Sequence, residues 1–131
     1  MVSVLIPAYN AEKTINRCLD SILCQTCQDI ELIIVNDGST DNTLSICLKY
    51  AENDNRIIIY NQPNQGVSAA RNKGLRNASG DFILYVDSDD YIDIDSCERF
   101  MEARNNENVD IIVGNAVMEK KDGNELINHS E

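Results

Sequence analysis

A mostly parallel α/β sheet with helices on both faces is predicted for this chain by three observations. Short β-branched runs alternate with stretches whose apolar residues recur at helical spacing, the pattern of repeated strand–helix–strand units. The runs are nearly continuously apolar rather than alternating, as parallel strands covered on both faces should be. Most of the helical stretches are preceded by Asn, Ser, Thr or Asp, which cap helix starts.

The elements follow in order. Val2–Ile6 reads as the first strand, stopped by Pro7. Ile15, Cys18, Leu19 and Ile22 then share one helix face, with Asn10 as the start signal. Ile30–Val35 is the second strand, and Asn36-Asp37-Gly38-Ser39 the turn after it. Leu44, Cys47, Leu48 and Ala51 form the next helical stripe, opened by Ser39 or Thr40. Arg56–Tyr60 is the third strand; residues 66–78, small and moderately helical, lie between the turn "NQPNQG" and the closing "SG". Phe82–Val86 is the fourth strand, read as buried, and Ile94, Cys97 and Met101 a fourth helical face begun by Asp93. Val109–Val113 is expected as a fifth strand, and residues 119–131 turn polar and are expected to fray.

Composition narrows the function. The chain has 131 residues, 22 acidic and 11 basic, for a formal net charge of −11. One domain at most is expected, and nucleic acid is not an expected partner, because phosphate backbones are bound by clustered Lys and Arg. No run approaches the ~18 apolar residues of a membrane span. The N-terminal "MVSVLIPAYN" has no basic leader region, so a signal peptide is not expected. The five cysteines include a Cys24–Cys27 pair at redox spacing, but His129 is the single histidine and no zinc set is completed. They read as packing thiols of a cytoplasmic protein.

In open α/β sheets, ligands collect at the carboxyl ends of the strands. After the first strand stands Tyr9, an aromatic that could stack on a planar ring or pack as rim core. After the second stands Asp37, an acceptor for an imide or ribose proton or a turn-capping residue. After the fourth come Asp87, Asp89 and Asp90 within four positions. Two like charges ~4 Å apart repel by about 4 kcal/mol at an effective dielectric near 20. Either their pKa values rise or a cation neutralises them, and carboxylate oxygen suits Mg²⁺ or Mn²⁺. Arg71, Lys73 and Arg76 follow Gly66 and Ser68 near a helix start, where anionic oxygen is held well; Lys73 and Arg76 read as ordinary surface. A ring platform, an acceptor, a guanidinium and acids holding a cation together describe a nucleoside diphosphate site.

The stretches "VSVLIPAYN", "ELIIVNDGSTDNT" and "NQGVSAARNKGLRNASGDFILYVDSDD" also carry a resemblance. From Val2 to about Val113 the chain resembles the N-terminal part of a family 2 glycosyltransferase, an inverting, nucleotide-sugar-dependent enzyme with the Rossmann-like GT-A fold. The resemblance implies that Tyr9 stacks on uracil, with Ala8 and Asn10 as neighbouring loop contacts. It implies that Asp37 bonds the uracil imide and that Arg71 lies near the base and diphosphate. Asp87 and Asp89 match the DXD motif: Asp89 is the expected metal ligand with Asp87, while Asp87 or Ser88 lies near the ribose. Asp90 is left either behind the metal ligands or facing the sugar. Asn36 stands where many members have Asp.

The implied cofactor is Mn²⁺ or Mg²⁺, and the implied partners are a nucleotide-sugar donor, UDP-linked by family habit, and a saccharide or lipid-linked acceptor. Residues 1–118 are expected to be the donor-binding part and 119–131 the tail of a chain cut before the acceptor half, which carries the general base. No catalytic residue is therefore assigned. Placement in the cytoplasm is expected, with membrane association left open through a region beyond residue 131. Two alternatives stand beside this: a non-catalytic nucleotide-binding fragment, and a haloacid-dehalogenase-like phosphotransferase, whose DxD usually follows the first strand.

Overall fold

The computed structural model describes residues 1–107, 110–120 and 123–127. The chain divides into a unit of Met1–Glu98 and a unit of Arg99–Glu131. In chain order the elements are β1 (Val2–Ala8), α1 (Ile15–Leu23), β2 (Ile30–Asp37), α2 (Thr43–Asn53), β3 (Ile57–Gln62), α3 (Val67–Asn77), β4 (Phe82–Tyr85), α4 (Ser96–Glu107), β5 (Ala116–Lys120) and β6 (Gly123–Ile127).

The first unit is built on a four-stranded parallel sheet of order β3-β2-β1-β4. Crossovers between parallel strands are right-handed. The chain steps outward from β1 to β3 and then jumps back past β1 to β4, so α3 lies on the face opposite α1 and α2. Packing agrees. Leu5, Ile33 and Val35 form a buried cluster with Ala70 of α3. The alternate residues Val4, Ile6, Leu32 and Ile34, on the other face, are fully buried as well. Burial of each such Leu or Ile contributes about 1.5–3 kcal/mol.

Helix α1 buries Ile15, Cys18, Leu19 and Ile22, as its spacing predicts. The stripe of α2 differs: Thr43 and Cys47 are buried while Leu48 is 48% exposed. Strand β4 also differs. It pairs only with β1 among the described residues, and Ile83 and Tyr85 are 37% and 44% exposed, so it is an edge strand rather than a buried one. The expected fifth strand is not found over 110–113, where Ile111 and Val113 are exposed; Val109 lies outside the described residues. A β-branched run becomes a strand only where a neighbour pairs with it. In the second unit β5 and β6 pair antiparallel, from Ala116 opposite Ile127 to Lys120 opposite Gly123. The polar stretch 119–131 thus includes β6; residues 121, 122 and 128–131 lie outside the described ones.

Two buried polar side chains tie loops to this frame. Gln25, fully buried, donates to the carbonyls of Ser21 (3.0 Å) and Asp93 (2.6 Å) and accepts from the Cys97 amide (2.9 Å). Glu31, at the amino end of β2, accepts from the Ser3 hydroxyl, the Ser79 amide (2.6 Å) and hydroxyl (2.8 Å), and the Gly80 amide (3.2 Å). Burial pushes the Glu31 carboxyl up, but these donors together outweigh it and hold the pKa below its ordinary value.

A group with a depressed folded-state pKa stabilises the fold above its unfolded value and loses that contribution as pH falls through the folded one. Glu31→Gln, which aims an amide N–H₂ at these donors, is therefore expected to cost about 2–3 kcal/mol at neutral pH. The penalty should shrink as pH falls below the ordinary glutamate range and through the depressed folded-state value, where the wild-type carboxyl itself takes up a proton. Urea melts of both proteins at pH 7 and pH 3 check this; an equal difference at the two pH values would contradict it.

Candidate active site

The strand order reverses between β1 and β4, and the crevice at such a switch point is where open α/β sheets bind ligands. A cleft of about 890 Å³ lies there, at the carboxyl ends of the strands. Ala8, Tyr9, Asn10, Asp37, Arg71, Asp87, Ser88 and Asp89 all line it. Every residue singled out from the sequence as a donor or metal contact is thus on one wall or another of a single cavity. Asp90 is not among the lining residues.

Tyr9 follows β1 and is 50% exposed, with its ring available to a ligand rather than packed as rim core. Asn10 does not start α1; the residue before that helix is Thr14. Asn10 instead adopts a left-handed backbone (φ 47°) and braces the next loop. Its amide donates to the Ser39 hydroxyl (3.0 Å), and its Oδ1 accepts from the Thr40 amide (2.8 Å). Glu12 accepts from the Asn42 amide (3.0 Å), and Thr43 accepts from the Ala11 amide (2.8 Å). Likewise α2 begins after Asn42, later than Ser39 or Thr40, because Asp41 takes the Thr43 amide (2.9 Å). The local cap signals are spent on holding the two loops together.

Asp37 is 3% exposed. Its Oδ1 accepts from Gln62 Nε2 (2.8 Å) and the Gln65 amide (2.8 Å), and its Oδ2 from the Gly66 amide (2.9 Å). This carboxylate therefore organises the loop that leads into α3, and only the remaining lone pairs are free for a ligand. Gly38 beside it has φ +72°, and a Cβ there would meet the Asn64 amide nitrogen at 2.6 Å, so the turn admits only glycine.

The acidic residues 87–90 form a turn closed by the Asp90 amide donating to the Asp87 carbonyl (3.0 Å). The start of α1 fixes it from below. Thr14 donates to the Ser88 carbonyl (3.0 Å), and the Cys18 thiol to the Asp87 carbonyl (3.5 Å). Loss of solvent pushes the Asp90 carboxyl up, reinforced by Asp89 and Asp87 and opposed by Arg17. Cys18 is pushed up to about 12, chiefly by burial and then by the charges of Asp90, Asp89 and Asp87. In both cases burial is the larger cause, and the neighbouring aspartates add to it.

Of the acids lining the cleft, Glu12, Asp37, Asp41 and Asp87 are engaged in hydrogen bonds or ion pairs. Asp89 has no such partner among the described residues. Arg71 reaches from α3 to Asp87, Nη2 to Oδ1 at 2.8 Å. No group of three or more His, Cys, Asp or Glu among the described residues is placed to hold an ion. A hard divalent cation held by one or two carboxylates and the phosphates of its ligand needs no such cage, and Asp89 with the free Oδ2 of Asp87 fits that donor set.

Sequence reasoning passed over Asn64, Val67 and Lys13, which also line the cleft. Asn64 sits in "NQPNQG", legible only as a turn; Lys13 and Val67 carry no local signal.

The sequence model described as Glycosyl transferase family 2 matches residues 3–131. The chain belongs to glycosyl transferase family 2. Glycosyltransferase GlyA of Streptococcus pneumoniae serotype 4 is 46% identical over 114 residues, covering 87% of this chain and 16% of GlyA. The solved structure of S. aureus TarS 1-349 in complex with UDP-GlcNAc superposes with a TM-score of 0.76 at 33% identity, over 82% of this chain and 32% of that one. The mannosyltransferase PcManGT from Pyrobaculum calidifontis, in complex with GDP-Man and Mn²⁺, gives a TM-score of 0.65 at 30% identity, over 69% of this chain and 28% of that one. This family 2 chain therefore has the GT-A type of sheet and spans a third or less of the length of these proteins.

Proposed function

We propose that this chain is the donor-binding part of an inverting glycosyltransferase, holding a nucleotide sugar with a divalent cation in the cleft between β1 and β4. The observation that carries the proposal is the convergence of Tyr9, Arg71, Asp87 and Asp89 on one cavity from three separate places in the chain, the loop after β1, α3 and the turn after β4. TarS binding UDP-GlcNAc and PcManGT binding GDP-Man with Mn²⁺ support the ligand class. UDP is the proposed nucleotide.

In this reading Tyr9 offers its ring to the base and Asp37 holds the 62–66 loop that frames it. Arg71 supplies a delocalised charge suited to phosphate oxygen. Asp89 and Asp87 would hold the cation, which when bound stabilises negative charge on the departing diphosphate. The attacking hydroxyl belongs to a saccharide or lipid-linked acceptor. Its proton needs a carboxylate, and of the acids lining the cleft Glu12, Asp37 and Asp41 are committed to loops while Asp87 and Asp89 are given to the cation. The general base is therefore assigned to no described residue, and these 131 residues alone are expected to bind donor without measurable transfer. A cytoplasmic location is part of the proposal, in keeping with an odd number of scattered cysteines. No helix among the described residues is long and apolar enough to cross a membrane.

Calorimetric titration of UDP with and without Mn²⁺ tests the proposal. Binding that requires the ion, and is weaker for GDP, is the expected result. Binding indifferent to the ion, or none in its presence, would count against both the cleft and the donor class.

A further inference from the structure

The proposed function asks Arg71 and Asp87 to serve different partners, a diphosphate and a cation. In the structure they serve each other. Arg71 Nη2 lies 2.8 Å from Asp87 Oδ1, with the two side chains 41% and 47% exposed. Half-exposed ion pairs are weak, so this one is readily exchanged. Arg71 is also under-used for a group with five N–H donors. Its Nε is buried without a partner among the described residues, and its guanidinium carbon stands 5.9 Å from the centre of the Tyr85 ring. Both residues line the same cleft, so a change of partner needs only side-chain rotation.

We propose that Arg71 is an exchangeable counter-ion. It neutralises Asp87 while the cleft holds no cation, is displaced when Asp87 and Asp89 take one, and then turns onto the diphosphate. This inference rests on the reading of the cleft as a nucleoside diphosphate and cation site. Its consequence is cooperative loading. A cation alone must compete with Arg71 for Asp87, whereas with nucleotide present the released guanidinium gains a second anionic partner. Each ligand therefore raises the affinity of the other by the same factor. The exchange also keeps the acidic turn partly neutralised while the cleft is empty.

Nucleotide-free Mn²⁺ binding, read from the free-ion paramagnetic resonance signal, tests this in the full chain. Arg71→Met is expected to bind Mn²⁺ alone about three- to tenfold more tightly than wild type, since one positive charge has left the neighbourhood of a divalent ion. The same variant should bind UDP in saturating Mn²⁺ about tenfold more weakly, so that the mutual enhancement is largely lost. Arg71→Lys, which keeps charge and stem but not the planar fork, should fall between the two and guards against a folding defect. Unchanged or weaker Mn²⁺ binding by Arg71→Met, with binding lost in Asp89→Ala, overturns the exchange and leaves the site standing. Wild-type Mn²⁺ binding in both Asp87→Asn and Asp89→Ala overturns the site reading, and the exchange with it.

Discussion

Asp37→Ala is expected to abolish measurable nucleotide binding and to destabilise the fold by roughly 2–4 kcal/mol, because three hydrogen bonds from the 62–66 segment to a charged, buried acceptor are lost. The carboxylate is 3% exposed and takes the Gln65 and Gly66 amides and the Gln62 side chain. Removing it frees the segment that opens α3, the helix that carries Arg71. The geometry also separates two roles. If Asp37 acts by holding the loop, Asp37→Asn should weaken UDP and GDP alike. If its spare lone pairs chiefly read an imide, the loss should be confined to UDP. Urea denaturation with calorimetry of both nucleotides distinguishes these, and we expect the first. Wild-type stability together with wild-type binding in Asp37→Ala would contradict either role.

Asp89→Ala is expected to leave stability nearly unchanged and still to weaken binding strongly. The carboxylate has no hydrogen-bond or ion-pair partner among the described residues, so the change in stability should stay within about 0.5 kcal/mol. It should even relieve its neighbours, since Asp89 helps to raise the Asp90 carboxyl. Binding of UDP in Mn²⁺ should nevertheless fall by about 100-fold, on the order of the loss of a charge-assisted ligand worth up to about 3 kcal/mol. Residual binding should no longer respond to the ion. Retention of the ion dependence in this variant would move the cation to another residue. The contrast between the two aspartates is informative because a merely structural acid and a ligand-facing acid lose different things.

Much of this was legible beforehand, for physical reasons. The strands β1 and β2 are continuous apolar runs covered on both faces, and α1 repeats at 3.6 residues, so periodicity alone found them. The site followed from the rule that strand ends carry ligands, applied to Tyr9, Asp37 and the 87–90 turn. What escaped depended on tertiary pairing. Asn10 and Ser39 look like helix caps until the two loops are seen to bond to each other. The β-branched run ending at Val113 looks like a strand, yet residues 110–113 pair with no strand among the described residues. The Arg71–Asp87 pair depends on how α3 packs across β1 and β2, and no local spacing encodes that. Asp90, left in the sequence reading either behind the metal ligands or facing the sugar, is not among the residues lining the cleft.

The most direct test is an anomalous-scattering map from crystals soaked with Mn²⁺ and UDP. The account predicts a manganese peak beside the Asp89 carboxylate, with the uracil against Tyr9 and the diphosphate between the ion and Arg71. A peak remote from Asp89, or a nucleotide lodged outside the β1–β4 cleft, would contradict it.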